Sequence, residues 1–297
     1  MRKALLQLHL AIFLAGFTAV LGRLILLNEA VLVTWRLAIT VLLMVILLGW
    51  TLVRKPLPML DRWRMLGIGF LIAFHWVMFY GSVKYGNVSV AVVCLSAAGF
   101  FTAFLDPWIN GRRIEWMEVA LGVLAIVGIY VIFDFHPEFE LGMIFGMLSA
   151  LGSALFPIFN KQMLVHYPPR VLTFYVMLGG LIALLLVLPA YLHFFPEGGN
   201  WPNWTDAGWL FLLASVCTVY CFHLQLTALQ QLSAFTANLS YNLEPVYSII
   251  LAFWLFHENQ HLNTSFYVGV GLIMAAVGLQ MVRIKWKQRS YSTSVYK

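Results

Sequence analysis

Residues 234–256 read AFTANLSYNLEPVYSIILAFWLF. One acid, Glu244, and one proline, Pro245, stand near the middle of this run. A hydrocarbon core about 30 Å thick needs about 20 apolar residues in a helix, so the run is long enough to cross a bilayer. Working outward, nine more runs of similar character appear, at Leu5–Leu27, Ala30–Val53, Trp63–Tyr85, Val88–Ile109, Trp116–Phe133, Leu141–Val165, Val171–Phe194, Ala207–Leu229 and Phe266–Ile284. The gaps between them are short and carry Pro, Gly, Asn and charge. The longest, between His193 and Asp206, also holds Trp201 and Trp204, whose amphipathic rings suit a membrane–water interface. The tail from Lys285 is polar and predicts no ordered element.

Composition agrees. Of 297 residues, 62% are hydrophobic and 10% are charged, and the mean hydropathy is +0.86. Soluble domains carry about 25% charged residues, so too few polar groups are present to cover a soluble surface. The formal charge of +6 does not indicate nucleic acid as a partner, because the basic residues sit in gaps between apolar runs. Arg2 and Lys3 precede an apolar run without an A-x-A-like site after it, so that run reads as a retained helix. Cys94, Cys217 and Cys221 all lie inside apolar runs. Cys217 and Cys221 are one helical turn apart, which raises a metal or redox reading, but small packing residues account for them better. No cofactor or metal is expected.

Basic residues set orientation. With both termini in the cytoplasm, fifteen Lys and Arg fall inside and two, Arg23 and Lys84, fall outside, with Arg36 within a helix. The two halves also correspond, most clearly where Asn87-Val88-Ser89-Val90-Ala91 pairs with Ser233-Ala234-Phe235-Thr236-Ala237. Five helices per half is an odd number, so the second half enters the membrane upside down. Inverted repeats are a transporter feature, with the substrate near the midplane between them.

Several stretches resemble a known family. Ala228-Leu229-Gln230-Gln231-Leu232-Ser233-Ala234, Asn242-Leu243-Glu244-Pro245-Val246, Leu255-Phe256-His257-Glu258, Gly271 and Gly278 resemble the second EamA repeat of the drug/metabolite transporter superfamily. In the first half, Leu32-Val33-Thr34-Trp35-Arg36 and Ser82 to Ala91 match less specifically. There Ala98 and Gly99 stand where Glu and Pro would, and Arg112 stands near the position of the late Glu. The resemblance implies an all-α integral membrane fold of ten transmembrane helices in two inverted five-helix repeats. The repeats would be residues 1–135 and 136–284, followed by a cytoplasmic tail at 285–297. It also implies secondary transport, commonly efflux, of small metabolites such as amino acids across the cytoplasmic (inner) membrane. The partners are then a small-molecule substrate and the lipid bilayer, with protons as the candidate coupling ion.

Glu244 is the first candidate for the working site. An intramembrane acid costs about 2.5–3.5 kcal/mol on insertion scales and marks function by default. Pro245 removes a backbone donor and opens the helix, and Asn238, Tyr241 and Asn242 crowd the same turns. A structural ion pair is the competing role for Glu244. Arg36 is the second candidate. It can bind a carboxylate or phosphate with its planar fork, or it can snorkel, or pair with Glu244 or Glu29. His75, Trp76 and Tyr80 in the third run and Tyr220, His223 and Gln225 in the eighth are candidates to line a cavity, against plain interhelical packing. The two histidines are also candidate proton relays.

One motif points elsewhere. His257-Glu258-Asn259-Gln260-His261 spells H-E-x-x-H, which on a helix holds zinc with Glu as general base. It falls at a helix end, no Asp, Glu or His follows it to supply a third ligand, and the EamA pattern already places Glu258 there. A membrane metalloprotease is therefore the alternative, and no enzymatic activity is expected. The absence of a P-loop pattern argues against direct ATP coupling, and no gap is long enough for a receptor's signalling domain.

Overall fold

A computed structural model describes residues 2–48, 57–133, 139–232, 237, 240–241, 243–257 and 264–294. Among these residues the chain is all-helical. The helices are α1 (Arg2–Leu24), α2 (Glu29–Leu48), α3 (Met59–Tyr85), α4 (Val88–Leu95), α5 (Ala98–Asn110) and α6 (Trp116–Phe133). They continue with α7 (Glu140–Leu164), α8 (Pro169–Phe194), α9 (Trp204–Ala214), a π-helical stretch at Ser215–Tyr220, α10 (Cys221–Leu229), α11 (Glu244–Phe256) and α12 (Thr264–Ser294). Seven segments of the described residues are long and apolar enough to cross a bilayer, and three shorter apolar helices lie at Trp116–Gly128, Val246–Phe256 and Tyr267–Ala276. The shorter three fall in the fifth, ninth and tenth apolar runs. Much of the first half of the ninth run lies outside the described residues.

Local chemistry explains the starts, stops and breaks. Asn87 Oδ1 accepts from Val90 N at 2.7 Å and Asn203 Oδ1 from Asp206 N at 2.8 Å, each satisfying an orphan donor of a first turn. Gly111 ends α5 in the left-handed region, φ 62°, where a Cβ would be strained. The fourth run is not one helix, because a turn at Ser96 and Ala97 divides α4 from α5. The ninth run is broken in a corresponding place, since Leu243 is a turn residue and α11 begins at Glu244. Its proline is therefore not in mid-helix but in a first turn, where the missing N–H costs nothing. The tail differs from expectation too: α12 runs on to Ser294, since Lys, Arg and Gln are good helix formers.

The gaps between spans sort onto two faces. On one face, Asn28 N donates to Gly199 O at 2.9 Å and Gly199 N to Leu26 O at 3.1 Å, which joins the α1–α2 gap to the α8–α9 gap. Lys84 at the end of α3 reaches Leu27 O there. On the other face, Tyr167 OH donates to Asp61 at 2.6 Å, Gln162 donates to Asn110 at 3.0 Å and Arg283 pairs with Glu115 and Glu118. Among the described residues, α1 and α2, and likewise α8 and α9, thus run in opposite directions. Large side chains such as Leu42, Ile46, Leu186 and Trp254 are exposed on the outer surface, as lipid contact requires.

The packing centres on α3, which lies along α7 and α8. The composite of α9, the π stretch and α10 lies along α1 and α2. Helices α6 and α12 pair, α2 crosses α8, and α4 meets α11. Glycine permits the closest approach, because a Cβ on Gly69 would lie 2.2 Å from Val176 O and 2.5 Å from Gly180 N. A Cβ on Gly67 would meet nothing within 4 Å. Overpacking costs about 1–3 kcal/mol, and here backbone must give. Gly69→Ala should therefore lower the melting temperature of the detergent-purified protein, while Gly67→Ala leaves it unchanged or raised. Equal stability of Gly69→Ala and wild type would contradict this packing.

Candidate functional site

Arg36 of α2 is 3% exposed and tied on several sides. Its Nε donates to Thr218 Oγ1 at 2.8 Å, Nη1 to Tyr80 OH at 2.9 Å and Nη2 to Cys217 O at 3.3 Å. Its guanidinium carbon lies 3.6 Å from the centre of the Trp76 ring, a close cation–π contact. Two of these partners come from the π-helical stretch, and Thr218 Oγ1 itself donates to Leu213 O, five residues back, at 2.7 Å. Such stretches are rare and frequent at functional sites. Tyr80 can reach Arg36 because position 22 is glycine, where a Cβ would sit 2.3 Å from the tyrosine ring.

Arg36 lines a cavity of about 70 Å³ together with His75, Trp76, Cys217, Tyr241 and Glu244. The volume is far below the roughly 300–1,000 Å³ of ligand pockets. Glu244 is 4% exposed and opens α11, where the positive end of the helix dipole favours a carboxylate. The described ion pairs join Asp61 with Arg64 and Arg283 with Glu115 and Glu118, so none within 4 Å links Arg36 to Glu244. Glu29 is engaged elsewhere, accepting from Tyr191 OH at 2.7 Å. A ring wall closes one side: His75 stacks on Phe156 at 6.1 Å, Phe156 on Phe222 at 6.0 Å, and Trp76 meets Phe222 edge-on. The His75 Nδ1 is 2.9 Å from both the carbonyl and the hydroxyl oxygen of Ser149, which fixes its ring.

The other expected residues fall elsewhere. Tyr220 is 48% exposed and faces outward, because the π stretch that ends at this residue turns the helix beyond the α-helical period. The stripe that faces the cavity is instead Cys217, Cys221 and Gln225, at spacing four. That spacing is readable in the sequence, but thiols inside an apolar run read first as packing. His223 lines a separate cavity of about 240 Å³ with Arg170 and Thr173. Asn238, Asn242, Glu258 and His261 lie outside the described residues. His257 follows the last turn of α11 with φ 54°, so the helical spacing required by H-E-x-x-H does not begin there. Among the described residues no group of three His, Cys, Asp or Glu could hold a metal ion. Thr18, Ser153 and Phe156 also line the central cavity, without any local sequence signal.

Comparison with known proteins matches this architecture to a family. The model of the EamA-like transporter family matches residues 2–134 and again 140–282. The chain belongs to that family and is a multi-pass membrane protein related to drug/metabolite transporters. It is 30% identical over 176 residues to an uncharacterized transporter of Archaeoglobus fulgidus, covering 59% of this chain and 62% of the relative. It is 26% identical over 192 residues to an S-adenosylmethionine uptake transporter of Rickettsia bellii, covering 64% and 63%. It is 27% identical over 127 residues to a probable amino-acid metabolite efflux pump of Salmonella typhimurium, covering 41% and 42%. The match thus spans less than two thirds of each of these relatives. A protein of known crystal structure, 17% identical, superposes with a TM-score of 0.67 over 95% of this chain and 97% of its own, a likeness of fold.

The ties on Arg36 can be tested directly. Removing one partner of a buried charge costs about 1.5–3 kcal/mol. Tyr80→Phe and Thr218→Val should each lower thermal stability, and the double variant should lose less than the sum, because both act on one guanidinium. Full additivity with small single effects would show that Arg36 is not held this way.

Proposed function

We propose that the protein is a secondary transporter of small metabolites that works by alternating access around the central cavity. The observation that carries the reading is Arg36 and Glu244 facing one buried cavity without an ion pair between them. Each keeps interaction capacity for a visitor. Arg36 offers its remaining N–H donors to a carboxylate, and Glu244 accepts an ammonium group or a proton. Cargo and proton then compete for one carboxylate, which exchanges one for the other and couples export to a proton gradient. The cargoes named for two relatives, an amino-acid metabolite and S-adenosylmethionine, suit this chemistry, since both kinds of molecule carry an amino-acid moiety.

The scaffold on this reading is two inverted five-helix repeats, residues 1–135 and 136–284, with the tail from 285. The packing supports it. Exchanging the halves turns the α3 contacts with α7 and α8 into those of the α9–α10 composite with α1 and α2, and leaves the pairs α6–α12 and α2–α8 unchanged. The cavity lining supports it as well. His75 and Cys221, Trp76 and Phe222, Phe79 and Gln225, and Leu95 and Tyr241 are each 146 residues apart, the spacing of Asn87 and Ser233. Ala15 and Ser153, like Thr18 and Phe156, are 138 apart, as are the starts of the two family matches. Paired, interrupted spans are where transporters bind cargo. Both termini would lie in the cytoplasm and the chain in the inner membrane, because the face with Arg62, Arg64, Lys161 and Arg170 holds most of the basic residues.

Proteoliposomes test the proposal. The wild type should release a preloaded amino-acid mixture faster when the opposite side is acidified. Glu244→Gln should abolish that acceleration, and Arg36→Lys should weaken cargo affinity by about tenfold, or 1.4 kcal/mol. Undiminished acceleration in Glu244→Gln would remove Glu244 as the proton carrier.

A further inference from the structure

A groove of about 640 Å³ runs down the seam of α3 and α7, apart from the central cavity. Its polar lining, Asp61, Arg64, Gln162 and His166, sits at the end that lies on the basic face. Its apolar lining, which includes Phe70, Leu71, Phe159 and Met163, continues into the membrane zone. From Asp61 to Leu71 a helix rises about 15 Å, half of the roughly 30 Å hydrocarbon core. The groove is therefore one leaflet deep, polar at the surface and apolar below.

Its floor is made by Gly67. Glycine inside a helix costs about 0.5–1 kcal/mol relative to alanine, and among the described residues most helical glycines repay it by close helix contact, as Gly69 does against α8. Gly67 has no such partner within 4 Å. On the repeat reading, the equivalents of Arg64 and Gly67 are Leu210 and Leu213, both 0% exposed, so the matching seam in the other half is packed with side chains. Here the space is left for something that is not protein.

The geometry points to a phospholipid site for one molecule of the adjacent leaflet, with a headgroup of the phosphoethanolamine type. The phosphate meets Arg64 and His166. Arg64 is 60% exposed and engages Asp61 through a single contact at 3.4 Å, which leaves most of its donors unused. The ammonium group meets Asp61, whose carboxylate accepts from Tyr167 and Arg64 and has capacity for about two more donors. One acyl chain lies over Gly67 between Phe70 and Phe159. The paired opposite charges at the groove mouth favour this headgroup over a purely anionic one.

Native mass spectrometry of the delipidated full chain, titrated with phosphatidylethanolamine or phosphatidylglycerol of identical acyl chains, tests the site. The wild type should bind one phosphatidylethanolamine at least tenfold more tightly than phosphatidylglycerol. Gly67→Leu should fill the groove, keep or raise the melting temperature and lose the tight site. Arg64→Ala, at an exposed position that folding does not require, should weaken phosphatidylethanolamine by about tenfold. Unchanged lipid binding by Gly67→Leu or by Arg64→Ala overturns the site. Equal binding of the two lipids by wild type overturns the headgroup assignment.

Discussion

A guanidinium buried inside a membrane bundle must find several partners at once, and the arrangement of Arg36 follows from that demand. Its cost in a low-dielectric interior is offset only by near-ideal contacts. Two elements supply them: Tyr80 and Trp76 from α3, and Thr218 with the Cys217 carbonyl from the π-helical stretch. Those contacts in turn constrain their surroundings. Tyr80 needs glycine at position 22, and the π stretch turns Tyr220 outward while it brings Cys217, Cys221 and Gln225 to the cavity. One charge thus ties α2 and α3 to the eighth span.

The scaffold and its charges obey different rules. On the two-repeat reading, packing partners and many cavity positions exchange between the halves at fixed spacings. Arg36 and Glu244 do not, because Phe174 stands 138 residues beyond Arg36 and Ala98 stands 146 before Glu244. On the proposed reading this division is useful. A symmetric frame has two equivalent conformations, open to opposite faces, at similar energy, and an asymmetric pair of charges recognises a cargo with two unlike ends.

Much of this was legible in the sequence because bilayers impose simple rules. Apolar runs of fixed length, basic gaps and an acid within a span each report a large energy, and they indicate a multi-pass helical membrane protein with Glu244 and Arg36 as candidates, while the motifs around Glu244-Pro245 carry the family. What escaped depends on smaller or non-local terms. Nothing local marks the π stretch, so the sequence offers Tyr220 and His223 as cavity candidates alongside Gln225, whereas only Gln225 of the three lines the central cavity. The thiols Cys217 and Cys221 were visible at one-turn spacing, yet only the third dimension sets them beside Arg36. The break at Ser96 and Ala97 carries no proline or glycine signal. The α3–α7 groove is defined by the absence of a side chain at Gly67, which a pattern of apolar residues does not register.

The central claim is that the cavity around Arg36 and Glu244 is reached alternately from the two faces. Cys221 reports on it as the sole cysteine in a Cys94→Ala, Cys217→Ala background, probed in proteoliposomes of defined orientation with an impermeant maleimide. The account expects labelling from either face, with cargo shifting the balance between them. Labelling from one face alone, unaffected by cargo or by a proton gradient, would contradict it.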